Sequence, residues 1–169
     1  MNSDKLLSLI EADITTFKFK QPNNFDLIYC SQLVEHLQEP EILFKKVYSA
    51  LKANGTFLIS TVYRKSWAKY IYKNKYGQSV LAHDHINEYQ EISILLNQLR
   101  ESGFNVTDYD ITMFRFPIID LIIKPCMQII RNKKFINFCN SRLIMELRYY
   151  FVIPIIGFYN IQLIANPIK

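Results

Sequence analysis

Glu35 and His36 stand side by side in the run SQLVEHLQEP, and an adjacent acid and imidazole can act as proton donor, proton acceptor or metal ligand. An imidazole titrates close to neutral pH, so His36 can take a proton from a substrate oxygen or nitrogen. The plainer reading is that both residues begin a helix and make structural hydrogen bonds. A second group, His83-Asp84-His85, puts two imidazoles and a carboxylate within three residues, a spacing that occurs in metal sites. No second ligand cluster accompanies it, so no metal is expected. Residues 63–76 (YRKSWAKYIYKNKY) interleave Arg64, Lys65, Lys69, Lys73 and Lys75 with Trp67, Tyr70 and Tyr72. Such a segment can hold RNA by stacking and charge or lie on anionic lipid, or it is a solvated helix whose aromatics pack on a sheet; the expected role is a lid over an anionic or lipid-like substrate.

These groups need a frame to hold them. Residues 6–13 read as a short strand and residues 25–30 (FDLIYC) as a second, apolar enough to be buried on both faces of a sheet. Pro40 sits where a helix begins. Leu43, Val47 and Leu51 follow at intervals of four, and Gly55 is the expected stop. Residues 56–62 (TFLISTV) form a third buried strand. A helical pattern returns at Glu88 through Ile92, Leu95, Leu96 and Leu99 to Gly103, and residues 104–113 then alternate as a strand. Residues 117–147 are expected to supply two helices, and residues 155–166 a last strand. Strand and helix in alternation give an α/β sheet that binds ligands at the carboxyl ends of its strands. The places to look are therefore just after Asp13, Cys30 and Val62.

The 169 residues, half of them hydrophobic and 14% aromatic, suffice for one domain with one core. A net charge of +5 favours anionic partners without fixing a function. Cys30, Cys126 and Cys139 form no C-x-x-C pair, so neither a disulfide framework nor a zinc knuckle is expected, and a reducing cytoplasm fits. The first ten residues carry no secretory pattern. Residues 149–165 are apolar but broken by Pro154, Gly157, Asn160 and Gln162, short of the roughly 20 residues that span a bilayer. Residues 116–130 are apolar almost all round a helix, which implies either burial or a surface for a membrane or long-chain substrate.

Residues 11–61 carry Asp13, the pair Phe25-Asp26, Glu35-His36-Leu37 with Pro40, and Leu51-Lys52 with Gly55. In order and spacing this resembles the middle of the class I S-adenosylmethionine (AdoMet) dependent methyltransferases that modify small molecules and lipids. The later run HDHINEYQEISILLNQLRESGFNV is similar to a further segment of that family. The resemblance implies a partial Rossmann-like sheet, mostly parallel, with a carboxyl-terminal antiparallel hairpin and a helical cap inserted at about residues 114–154. It also implies AdoMet as cofactor, with Asp13 and Ile14 beside its adenine and Cys30, Ser31 and Gln32 near the methyl donor. Tyr63, Arg64, Trp67 and His85 would border a small or lipid-like methyl acceptor. One family element has no counterpart: Gly55, Gly77, Gly103 and Gly157 lie far apart, so there is no G-x-G-x-G turn. The expectation is a domain truncated at its amino terminus. It would be active if completed, or else an inactive scaffold that binds a partner chain or itself through the sheet edge. Peripheral membrane contact fits this reading; nucleic acid does not.

Overall fold

The computed structural model describes residues 9–19, 22–70 and 72–169. Its elements are β1 (Phe25–Ser31), a 3-10 turn (Val34–His36), α1 (Pro40–Ala50), β2 (Leu51–Arg64), the two-residue strands β3 (Tyr72–Lys73) and β4 (Ser79–Val80), and α2 (Ile92–Glu101). They continue with β5 (Phe104–Pro117), α3 (Asp120–Ile130), α4 (Lys133–Cys139), α5 (Arg142–Tyr150) and β6 (Val152–Pro167). The main sheet has the order β1-β2-β6-β5. β1 and β2 are parallel, and β6 runs antiparallel to both β2 and β5. Three strands therefore share one direction, and the last element of the α/β pattern is an antiparallel hairpin, as the family resemblance implies.

The periodicities explain the core. Leu43, Phe44 and Val47 of α1 and Leu95 and Leu99 of α2 fall on the inner faces of their helices, and all five are buried against Phe57, Ile59, Phe104, Ile161 and Leu163 of the sheet. Pro40 fixes the first turn of α1. The helix does not run to Gly55: it ends at Ala50, and Leu51 is already extended. Gly55 has a different task. Leu51 pairs with Phe25 and the register shifts before Leu27, bringing backbone so close that a Cβ on Gly55 would sit 2.9 Å from the Leu51 side chain and 3.1 Å from the Phe25 carbonyl.

Three further expectations change. Both helices of the core lie on one face of the sheet, so β1 is not buried on both sides: Ile28 and Cys30 turn toward the helices, while Leu27 and Tyr29 remain 55% and 63% exposed. Of the strand expected at residues 6–13, residues 6–8 lie outside the described residues. Leu9 to Asp13 pairs with no strand, and Leu9 and Ile10 are exposed. Lys46 fastens the following turn by donating to the carbonyls of Ile14, Thr15 and Phe17 at 2.6–3.0 Å. Residues 63–76 do not form the solvated helix that was one of the alternatives for them. Tyr63 and Arg64 end β2, and a small β3–β4 hairpin follows, whose bend is set by Asn74 Oδ1 accepting from the Tyr76 and Gln78 amides at 3.0 and 3.1 Å.

The β5–β6 connection holds three helices in place of two. Arg131, at φ 42°, closes α3 in the left-handed region, and the Asn132 side chain then accepts from the Lys134 amide at 2.8 Å to start α4. Ile123, Cys139 and Ile144 form a separate small core between these helices. Among the described residues no helix is long and apolar enough to cross a membrane.

Candidate functional site

The carboxyl end of β1 turns sharply. Gln32 leaves the strand at φ 50°, a left-handed conformation costly for a residue with a Cβ. The conformation is held from two sides. Its amide donates to the Ser60 carbonyl at 2.8 Å, and its Nε2 donates to Asn160 Oδ1 at 2.9 Å and Ser60 Oγ at 3.2 Å. The turn opens an exposed concavity of roughly 740 Å³ whose lining mixes Ser31, Gln32, Ser60 and Asn160 with Tyr29 and Met113. Ser31 and Gln32 thus face a shared space at the strand ends. The Cys30 side chain does not: it packs in the main core, where burial, reinforced by the Glu35 charge, pushes its thiol up to about 12.

Next along the chain, the 3-10 turn drives Glu35 inward to zero exposure. Glu35 Oε2 accepts from Thr61 Oγ1 at 2.7 Å, whereas Oε1 is buried with no hydrogen-bond partner. The backbone completes the junction, because the Glu35 carbonyl accepts from the Ile86 and Asn87 amides at 2.7 and 2.9 Å. This brings the HDH loop over the Glu-His pair. The rings of His36 and His85 meet edge to face with centroids 5.0 Å apart. His36 Nδ1 lies 3.2 Å from the Asp84 carbonyl and 3.5 Å from its carboxylate. His85, almost fully buried, sets its Nδ1 2.7 Å from Glu88 Oε1.

Glu88 is the hub behind that ring. Its side chain is 1% exposed, and Oε1 also accepts the Leu81 amide at 2.6 Å. Oε2 approaches Arg64 Nε to 3.2 Å, an ion pair whose alignment is not that of a hydrogen bond. Burial works against a charge on His85. The Glu88 hydrogen bond and the carboxylates of Glu88, Glu35 and Asp84 outweigh it and hold the ring above the ordinary imidazole range.

The structure thus joins Glu35, His36, Arg64 and His85, four residues that the sequence reading distributed among different roles. It does not bring Asp13 to them. Asp13 accepts from the Thr15 hydroxyl at 2.7 Å and amide at 2.8 Å, bonds that lower its pKa, and its Coulombic neighbour is Lys46. Ile14 packs at the edge of the core. Tyr63 is buried against Tyr159, their centroids 5.8 Å apart, and Trp67 is exposed on the loop after β2. The sequence marked Glu88 as part of the family-like run after His85 and as the start of a helical pattern, but not as a site residue.

Residues 5–109 match the methyltransferase domain family. A stretch of 56 residues is 38% identical to a ubiquinone biosynthesis O-methyltransferase of Idiomarina loihiensis, and covers 32% of this chain and 23% of that protein. In fold, the chain is similar to a candidate methyltransferase from Bacillus halodurans C-125 (TM-score 0.60, 14% identity, 96% of this chain and 78% of that one). It is also similar to the [4+2]-cyclase SpnF (TM-score 0.58, 15% identity, 94% and 56%). A third similar structure is phosphoethanolamine N-methyltransferase 2 of Haemonchus contortus in complex with S-adenosyl-L-methionine (TM-score 0.51, 15% identity, 93% and 36%). The chain spans under a quarter of the curated relative and just over half of SpnF.

Proposed function

As the chain belongs to the methyltransferase domain family, we propose that it forms part of an AdoMet-dependent methyltransferase acting on a small or lipid-like acceptor. The observation that carries this reading is the open concavity, with polar and apolar lining, where β1 ends at Ser31 and Gln32, the place at which sheets of this kind take ligands. Ser31 and Gln32 serve there as cofactor contacts, and Asp13 and Ile14 as more remote ones; His36 and the Trp67 loop belong to the acceptor side. The complex of the Haemonchus enzyme with S-adenosyl-L-methionine supports the cofactor. Methyl transfer is a displacement at carbon, in which alignment of acceptor and donor supplies much of the acceleration.

A lipid-like acceptor is supported by the cap. Residues 114–156 contain seven Lys and Arg against two Asp and Glu, so this segment holds the entire net charge of +5 and the remainder of the chain is neutral. It also exposes Leu121, Ile122, Ile129, Leu143, Tyr149 and Tyr150. Exposed apolar side chains on a segment with an excess of cations suit an amphiphile with an anionic head. The similarity to SpnF, a cyclase, means that fold alone does not fix the reaction. Calorimetric titration with AdoMet is therefore the deciding experiment: saturable binding is expected, and a silent titration up to millimolar ligand would sink the reading for this chain.

A second reading is a non-catalytic scaffold that pairs with another chain. Its support is β1, an edge strand among the described residues, with Leu27 and Tyr29 exposed beside its open hydrogen-bonding side. Size-exclusion with light scattering should then give a mass above that of one chain. A well-behaved monomer removes this alternative.

A further inference from the structure

We propose that Glu35, His36 and His85 form a binding site for one divalent transition-metal ion, with zinc as the best-matched metal. This reverses the expectation of no metal drawn from the sequence, where the three residues lie in segments 49 positions apart. The fold closes that gap. One ligand atom from each of the three lies within 4.8 Å of the other two. Two imidazoles and one carboxylate are a donor set that zinc accepts in sites that keep a coordination position open.

Two independent observations point to a cation. The first is Glu35 Oε1, which is fully buried and has no donor. A bare carboxylate oxygen in the interior is costly, and such groups are retained where a cation meets them. The second is the support behind each ring. His85 Nδ1 is held by Glu88 at 2.7 Å, and His36 Nδ1 by the Asp84 carbonyl at 3.2 Å. Metal-bound histidines commonly hand one ring nitrogen to a carboxylate or carbonyl, which orients the ring and leaves the other nitrogen to the metal. Here both rings have that arrangement, with Nε2 as the remaining nitrogen.

The geometry asks for a small closure. Zinc about 2.0–2.1 Å from each ligand places tetrahedral ligand atoms roughly 3.3 Å apart. The His36 side chain, 33% exposed, is the one with room to move inward. Its exposure also leaves the site reachable from solvent. Three protein ligands leave a position for water or, resting on the methyltransferase reading, for an acceptor oxygen.

The full chain, stripped with chelator and returned to buffer, is titrated with zinc and separately with cobalt, without AdoMet or acceptor. One equivalent per chain is expected, and the cobalt form should show the visible bands of a low-coordinate nitrogen and oxygen site without a thiolate charge-transfer band. His36→Ala and Glu35→Gln should weaken zinc binding more than about 100-fold, and Glu88→Gln about 10–100-fold. His83→Ala, in the same loop but exposed, should bind like the wild type. The proposal is overturned if the folded wild-type chain takes up no metal, the outcome expected if a proton on His85 alone balances Glu35. Full affinity in His36→Ala, equal losses in His83→Ala and His36→Ala, or a thiolate band from the cysteines would overturn it as well. The wild-type titration decides the matter should a variant not fold, and the AdoMet titration stands or falls separately.

Discussion

Replacing Glu88 by alanine should destabilise the protein by about 3–5 kcal/mol, the range found when one member of a buried ion pair is removed. The reason is what the carboxylate leaves behind. Arg64, with its side chain 12% exposed, loses its carboxylate partner, the Leu81 amide loses its acceptor, and His85 loses the group that orients its ring. Against a total stability of about 5–15 kcal/mol for an ordinary domain, such a loss is a large fraction. Urea unfolding followed by circular dichroism measures it. Glu88→Gln, which keeps the shape and an acceptor oxygen, should recover part of the difference. A Glu88→Ala variant as stable as the wild type would mean that the loop between β4 and α2 is not held by this hub.

The second large effect is expected at Gly157. Its φ is 87°, in the left-handed region, and a Cβ there would lie 2.6 Å from Ala68 Cβ and 3.0 Å from the Trp67 ring. The Gly157 carbonyl also accepts from the Lys65 amide at 2.8 Å, so this point of β6 clamps the loop after β2. Gly157→Ala should cost about 3 kcal/mol, from the left-handed conformation and the contact together. Trp67 is the chain's one tryptophan, and it reports the change directly. Its emission maximum should shift as the loop is pushed off β6, while Gly77→Ala, whose added Cβ would meet nothing within 4 Å, should leave the emission unaltered. Unchanged emission and stability in Gly157→Ala would mean that the loop lies elsewhere.

Both predictions concern contacts that the sequence did not disclose, and the reason is physical. Helices α1 and α2 were legible because an inner face repeats along one segment: Leu43 and Val47, then Leu95 and Leu99, announce their own burial. Whether a strand is covered depends on what packs on it. β1 reads as buried on both sides, yet Leu27 and Tyr29 find cover on neither helix. The stop assigned to Gly55 failed for a similar reason, since a glycine marks close approach as readily as a helix end and only the neighbouring strand decides which. The candidate site was legible in its parts. Glu35, His36 and His85 were each noted for their chemistry, but their meeting depends on the Glu35 carbonyl binding the Ile86 and Asn87 amides, a tertiary contact without a local signature. For residues 63–76 the sequence left a solvated helix open as one alternative, because spaced aromatics and lysines fit that period, while the local hydrogen bonds of Asn74 favour a hairpin.

The strand order has a consequence for biosynthesis. β6 lies between β2 and β5, and its pairing with β2 joins residues about a hundred positions apart, such as Phe57 with Ala165 and Ser60 with Gln162. On the ribosome, β1, β2 and β5 emerge before the strand that must separate β2 from β5. The sides of β2 and β5 that β6 will pair therefore stay open in the nascent chain until residue 167 has been made and released from the exit tunnel. Pairings over such distances form slowly, and exposed edges in waiting are open to intermolecular contacts. Chaperone demand during synthesis should accordingly fall on the β2 and β5 edges, and slower elongation through α3, α4 and α5 would lengthen that exposure.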